Sequence, residues 1–336
     1  MTESKVWRWG IMAPGTIARG FAAALRGLKR ARFQAVASRS LVRAEAFAAE
    51  FGAEKAYGSY EEILADPTVD VVYISTQNPH HAELIRMALE ADKHVLCEKP
   101  FTLNHTMAAE LAELAQSREL FLMEAMWTRF HPVTRTVVEW IEEGKIGEVV
   151  HLIADFGFHG SVDLSSRVID LSSGGGALLD VGVYCVSYAS MLFGKQPRAV
   201  TSLTDQMPSG VDLTNSLVFD YGEGRQARLS SSVIHRLPNA AVIVGRRGII
   251  EVPNFGHPHG ATLRLFGQNQ FDLSKVTEQI EHEDLVNGFE YEILEVMNCL
   301  DQGLTESPLL PMRETVAILE TMDKLRADWG LRYPGE

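Results

Sequence analysis

Short continuous apolar runs alternate, over the first third of the chain, with segments whose apolar residues recur every three or four positions. Lys5 to Met12 reads as a strand that runs into a glycine-containing turn. Thr16 to Arg30 then carries Ile17, Phe21, Leu25 and Leu28 at helical spacing. Phe33 to Ser38 is a strand-type run, and Arg43 to Phe51 is helical, with Gly52 placed to end it. Val69 to Thr76 (VDVVYIST) is unbroken, as in a parallel strand buried on both faces. A helix at His81 to Ala91, a strand at His94 to Cys97, a helix from Asn104 to Ser117 and a strand at Leu120 to Met123 extend the series. Repeated βα units of this length predict a right-handed, doubly wound parallel sheet.

The pattern changes near residue 126. A helix at Val133 to Glu143 is followed by strand candidates Val149 to Phe158, Ala199 to Leu203, Ser216 to Tyr221, Gln226 to Ser232, Ala240 to Val244 and Gly248 to Val252. Helical segments Phe289 to Leu300 and Arg313 to Arg326 close the chain. The expected fold is therefore α/β: an N-terminal Rossmann-type doubly wound parallel sheet, then an α+β domain with a largely antiparallel open sheet. The boundaries are 1–126 for a dinucleotide-binding domain and 127–336 for a substrate and dimerisation domain, whose C-terminal helix can pack back on the first.

The chain has 336 residues, 46% of them hydrophobic, which suits two packed domains. A net charge of −13 argues against nucleic-acid and anionic-membrane partners. Cys97, Cys185 and Cys299 show no zinc-ligand spacing and suit a reducing compartment. No uninterrupted apolar run reaches bilayer length and no signal-peptide core precedes the first strand, so a cytoplasmic location is expected.

The turn after the first strand places Ala13, Gly15 and Ala18 where a dinucleotide fingerprint has its three small residues, followed by Thr16 and Ile17 at a helix start. Ala13 replaces the first glycine, so the strict motif is absent. At the end of the second strand, where NAD sites carry a carboxylate, stands Ser38-Arg39-Ser40, with Arg43 one helical turn later. Guanidinium groups beside a hydroxyl suit a ribose 2′-phosphate, which favours NADP over NAD, with solvated loop arginines as the competing reading. Thr76, Asn78, His80 and His81 follow the third buried strand, and ligands gather at the carboxyl ends of such strands. Glu98 and Lys99 end the next one, with Pro100 after them.

In the second domain, Gly174-Gly175-Gly176 lets the backbone run close to something, either a bound nicotinamide or the first domain. Asp180 and Tyr184 lie four residues apart and share a helix face. Trp127, Arg129 and Phe156 are candidates for holding a substrate ring, with ordinary packing as the competing role. Arg167 and Asp170 precede the glycines as site residues or a loop ion pair. His257 and His259, in GHPHG, have the look of a metal clip without neighbouring ligands and are read as a loop, so no metal is expected.

Three runs together resemble the Gfo/Idh/MocA oxidoreductase family over nearly the whole length: G-x-x-x-x-G-x-I-A at Gly10 to Ala18, E-K-P at 98–100 and G-G-G-x-x-x-D-x-G at 174–182. VASR at 36–39, MEAMWTRF at 123–130 and ALLDVGVYC at 177–185 are similar to the branch that holds dimeric dihydrodiol dehydrogenase and NADP-dependent D-xylose dehydrogenase. The resemblance implies a soluble NADP-dependent dehydrogenase acting on a hydroxyl of a sugar or cyclic diol. It implies Lys99 and Tyr184 as the proton-handling pair, Asp180 as a nearby site residue, and a homodimer or higher homo-oligomer. Either Lys99 or Tyr184 could be the direct acid/base. The rival from another class is a non-catalytic NADP-binding sensor, against which the presence of both Lys99 and Tyr184 weighs.

Overall fold

The computed structural model describes residues 5–160, 166–194, 196–267 and 273–336. The chain forms two compact units, one of residues 1–127 with 284–316, the other of 128–283 with 317–336.

The first unit is built on six strands: β1 (Trp7–Met12), β2 (Ala31–Ala37), β3 (Lys55–Tyr57), β4 (Val71–Ile74), β5 (His94–Glu98) and β6 (Leu122–Ala125). Their order is β3-β2-β1-β4-β5-β6 and every pairing is parallel. This is the dinucleotide-fold order, whose direction reverses between β1 and β4 and opens a crevice at the strands' carboxyl ends. Helices α1 (Thr16–Gly27), α2 (Leu41–Phe51), α3 (Tyr60–Ala65), α4 (His81–Glu90) and α5 (His105–Ser117) connect them. Val71, Val72, Tyr73 and Ile74 are all fully buried, as their unbroken apolar run requires. Gly52 takes φ 80° and ends α2 in a left-handed cap.

The sequence assigns 127–336 to the second domain, with a C-terminal helix that can pack back on the first. The segment 284–316 instead belongs to the first unit, because α8 (Phe289–Asp301) packs its aromatic start on α1. The Phe289 ring meets Phe21 at 6.2 Å, and a Cβ on Gly20 would stand 2.9 Å from that ring.

The second unit begins with α6 (Pro132–Glu142) and carries an eight-stranded sheet. Its strands are β7 (Val149–Gly157), β8 (Ala199–Gln206), β9 (Asp212–Gly222), β10 (Arg225–Ser232), β11 (Ala241–Gly245), β12 (Gly248–Val252), β13 (Gly260–Phe266) and β14 (Leu273–Glu281). The order is β14-β13-β12-β11-β7-β10-β9-β8, antiparallel throughout except for β7 with β10. The stretch Leu171–Phe193 is long and apolar enough to cross a membrane by length and composition, although Asp180 interrupts it. It is 83% buried and broken into short helical turns before α7 (Val183–Phe193), as suits a core helix. The last helix, α9 (Met312–Trp329), runs from the first unit into the second.

Candidate active site

In the first unit, the residues singled out from sequence line up along the carboxyl edge of the parallel sheet. At the end of β1, Ala13 takes φ 72° and donates its N–H to the Ala37 carbonyl at 3.0 Å. The Ser75 hydroxyl donates to the Ala13 carbonyl at 3.0 Å, which holds the turn from the β4 side. Gly15 then precedes α1 with φ −92°, and no side chain caps that helix. The glycines of this segment differ in their reasons. A Cβ on Gly10 would stand 2.9 Å from Ile63, so Gly10 serves packing. Among the described residues nothing lies within 4 Å of a Cβ on Gly15, and its backbone is one any residue adopts. Neither strain nor packing accounts for that glycine. Space kept clear over an uncapped helix start, with free N–H groups and the positive end of the helix dipole, fits a pyrophosphate. Thr16 and Ile17 are exposed beside it, Ile17 to 44%.

At the end of β2, Ser38 is buried and its Oγ accepts the Ser40 N–H at 3.3 Å. Arg39 and Arg43 are exposed, and among the described residues no carboxylate is ion-paired to either. Both lie near Tyr60, whose hydroxyl burial pushes up while the two guanidinium charges hold it down. Two cations left unneutralised in an acidic chain fit a phosphate added to the adenosine ribose. At the end of β4, the Thr76 Oγ1 is buried and finds no hydrogen-bond partner among the described residues, a rare state for a hydroxyl. Asn78 stands in the short helical turn that follows.

His81 has a different role from the one its position suggests. It is 1% exposed, with Nε2 3.1 Å from the Thr76 carbonyl and Nδ1 3.0 Å from that of Pro100. Burial lowers its pKa, so the ring ties the β4 and β5 loops together from inside and presents no face to a cofactor.

Lys99 is half-buried at the end of β5, and its peptide bond to Pro100 is cis. Its N–H donates to Glu98 Oε2 at 3.2 Å, and the Tyr73 hydroxyl donates to Glu98 Oε1 at 2.5 Å. Glu124, 1% exposed, accepts the Phe101 N–H at 3.1 Å and the Thr315 hydroxyl at 3.0 Å, which anchors the loop beyond the lysine. Glu292 on α8 is fully buried, with neither oxygen hydrogen-bonded among the described residues. Burial first, then the neighbouring Glu98 charge, raise its pKa well above the usual carboxylate range. The sequence singles out none of Tyr73, Glu124 and Glu292, although Tyr73 lies in the VDVVYIST run and Glu124 in MEAMWTRF. Trp127, half-buried, stacks on Phe289 at 4.9 Å.

In the second unit, Asp180 lies in a π-helical turn, Leu178–Gly182, and Tyr184 in the first turn of α7. Such turns recur at functional sites. Both residues are nearly buried, at 8% and 9% exposed. The Arg167 guanidinium stands 3.8 Å from Asp180, and the Phe156 ring lies 5.0 Å from that of Tyr184. Asp170 instead folds onto its own neighbours, accepting from Ser172 and Ser173. Arg129 is 4% exposed and donates to the Ser187 carbonyl on α7 at 3.1 Å, so the structure gives it a buried bracing role.

The triple glycine has a reason internal to this unit. A Cβ on Gly175 would stand 2.7 Å from the Arg167 carbonyl, and one on Gly176 would stand 2.3 Å from Asp212 Oδ1. Gly176 also takes φ 129°, open only to glycine. Asp212 Oδ2 accepts the Leu178 N–H at 2.7 Å, and the Tyr333 hydroxyl donates to the Gly175 carbonyl at 2.7 Å. The glycines thus let the chain close on Asp212, which fixes the start of the turn bearing Asp180.

Residues 7–126 match the family described as an oxidoreductase family with an NAD-binding Rossmann fold, and residues 134–251 match the GFO/IDH/MocA C-terminal domain. The chain is 38% identical to trans-1,2-dihydrobenzene-1,2-diol dehydrogenase of Mus musculus, covering 97% of this chain and 98% of that one. The Xenopus laevis protein of the same name is 37% identical, over 97% and 99%. Among solved structures, a 3-ketoreductase from Actinomadura kijaniata, in complex with TDP-benzene and NADP, superposes with a TM-score of 0.81 at 27% identity, over 96% of this chain and 97% of that one.

Proposed function

The chain belongs to the Gfo/Idh/MocA family and is an NAD(P)-binding oxidoreductase, and from that premise we propose that it uses NADP to interconvert a hydroxyl and a carbonyl on a sugar or related cyclic diol. The observation that carries the cofactor choice is the Arg39 and Arg43 pair at the end of β2, exposed and without a carboxylate where NAD sites place one. Gly15 and the start of α1 would hold the pyrophosphate, Ser38, Arg39 and Arg43 the 2′-phosphate, and Thr76, Asn78, Glu98 and Lys99 the edge of the crevice. When bound, the nicotinamide supplies a hydride acceptor or donor.

The chain's own residues handle the proton. Lys99 and Tyr184 act at the substrate oxygen, taking the hydroxyl proton in one direction and returning it in the other. A lysine ammonium stabilises a phenolate and brings a tyrosine towards working pH, so the two form a usable acid/base set in either order of transfer. Glu98 steadies the lysine backbone, and Asp180 completes the polar wall beside Tyr184. Phe156 and Trp127 supply apolar faces for a ring. The relatives' names favour a cyclic diol, and the 3-ketoreductase favours a sugar carbonyl.

The test is kcat/KM with NADP and NAD over a panel of pentoses, hexoses and cyclic diols, for wild type and Arg39→Ala. Wild type should prefer NADP, and the variant should lose that preference by at least about tenfold, the worth of a charge-assisted phosphate contact. An unchanged ratio removes the NADP assignment.

We also infer a homodimer formed through the outer face of the eight-stranded sheet. Leu203 on β8 is 78% exposed and Val218 on the adjacent β9 is 40% exposed, apolar surface that a partner would cover. Sedimentation at micromolar concentration should give a dimer, and Leu203→Glu should weaken it. A monomeric wild type contradicts the inference.

A further inference from the structure

Behind the turn that carries Asp180, within the second unit, lies a buried polar network drawn from residues 323–336. It begins where α9 stops. Gly330 takes φ 70°, its N–H donates to the Ala327 carbonyl at 3.2 Å, and the Leu331 N–H donates to the Arg326 carbonyl at 2.9 Å. This Schellman arrangement turns the chain back on its own helix, and Leu331 and Tyr333 are buried there. Arg326, also buried, grips Glu336 with both terminal nitrogens, Nη1 at 2.9 Å and Nη2 at 2.7 Å, and pairs with Asp323 as well. Such a charge-assisted fork fixes geometry as well as charge. Glu336 also accepts the Tyr333 N–H at 2.9 Å, and the Arg326 guanidinium lies 5.1 Å from the centre of the Tyr333 ring. The ring is thus held by its backbone and over one face.

Its hydroxyl donates to the Gly175 carbonyl at 2.7 Å. Burial above all, and then the Asp212 charge, push the pKa of that hydroxyl well above the usual tyrosine range, so it keeps the proton it donates. The Asp180 carboxylate is near enough to add to the same effect. The next residue, Gly176, accepts the Asp180 N–H on its carbonyl at 3.0 Å. Asp212 Oδ2, which holds the Leu178 N–H, also accepts the Asn215 amide at 2.9 Å, and Asn215 Oδ1 accepts the Ser231 hydroxyl at 2.9 Å. A Cβ on Gly182 would stand 2.9 Å from that Ser231 Oγ. The network therefore touches both ends of the π-helical turn. Glycines have no strong conformational preference of their own, so bonds from outside decide where such a segment sits.

We propose that Tyr333 is a positioning residue for the reaction: clamped by Arg326 and Glu336, its hydroxyl sets the glycine turn and, through it, the placement of Asp180 and Tyr184 at the substrate. The proposal rests on the reading that puts those two residues beside the substrate.

The test compares wild type, Tyr333→Phe, Glu336→Ala and Glu336→Gln on the best substrate of the panel above. Turnover is expressed as kcat per NADPH-binding site, so that unfolded protein does not count, and deuterium exchange is followed across residues 175–184. Tyr333→Phe removes one oxygen and no packing, and should lower kcat per site about 10–100-fold, the cost of a small misplacement of reacting groups. The NADPH Kd should stay within about twofold of wild type. Exchange should quicken across 175–184 and stay as it is in β1, β4 and β5. Glu336→Ala should move both readouts in the same direction, and Glu336→Gln, which keeps an oxygen for the Tyr333 N–H, should restore most of the loss. A Tyr333 that serves stability alone would lower Tm and leave kcat per site unchanged. That result, or unaltered exchange across 175–184 in both Tyr333→Phe and Glu336→Ala, overturns the proposal. If Lys99→Met and Tyr184→Phe keep their kcat, or wild type turns over no substrate, the proton-transfer reading falls by itself, and the exchange result alone decides the role of Tyr333.

Discussion

At Gly15 the side chain is missing for a reason that stability does not supply. The backbone is ordinary and none of the described residues approaches a Cβ there, whereas Gly10 and Gly20 are packed against by Ile63 and Phe289. Gly15→Val should therefore leave Tm within about 1–2 °C, a surface-substitution effect. It should nevertheless weaken dinucleotide binding by an order of magnitude or more, read by fluorescence titration with NADPH. Equal losses of Tm and affinity would mean that the glycine serves the fold. Residues whose surroundings come from adjacent sequence, such as Gly15 and Arg39, can be placed from the chain alone. His81 and Arg129 could not be, because their partners lie 5 and 19 positions away for the histidine and 58 for the arginine. A histidine at a helix start looks exposed until the Pro100 carbonyl closes over it. The His131 ring likewise meets that of His257 only through the fold, 126 positions apart in sequence.

The π-helical turn and its Asp212 support form the element on which Asp180 depends. Asp212 is fully buried and its Oδ1 has no hydrogen-bond partner among the described residues. Desolvation raises its pKa to about 7 despite the N–H of Leu178 and the amide of Asn215. A carboxyl with a raised folded pKa binds a proton more tightly folded than unfolded. Its contribution is complete below the ordinary value of 3.8 and is lost as pH rises through about 7. The shift corresponds to roughly 4 kcal/mol at most. Asp212→Asn removes this titration while keeping a carbonyl acceptor. Relative to wild type, the variant should gain stability between pH 5 and pH 8 by a few kcal/mol, measured by urea unfolding at each pH. A constant difference across that range would show that Asp212 does not titrate there. Among the elements, the long apolar strands and amphipathic helices were legible because periodicity alone defines them. β3 has three residues and no apolar run, and β14 is a largely polar strand at the sheet's end. The short α3 did carry a signal, the Ser59–Glu62 capping box, which a reading based on apolar spacing passes over.

Across the whole molecule, chain order and spatial order part company at residue 284. The βα series predicted the parallel sheet and the later strands predicted the antiparallel one, because each depends on neighbours close in sequence. The return of 284–316 to the first unit depends on Phe289 finding Phe21 and Trp127, which no local pattern reveals. The same return brings Glu292, whose pKa burial raises, beside Glu98, next to the lysine of the proposed chemistry. The central claim is that Lys99 and Tyr184 move the substrate proton in an NADP-dependent reaction. It is tested most directly by kcat for Lys99→Met and Tyr184→Phe at saturating NADP, with the NADP Kd measured alongside. The account predicts a fall in kcat of about 10²–10⁴ for each variant, with Kd changed by no more than a few fold. Near-normal kcat in both variants would contradict it.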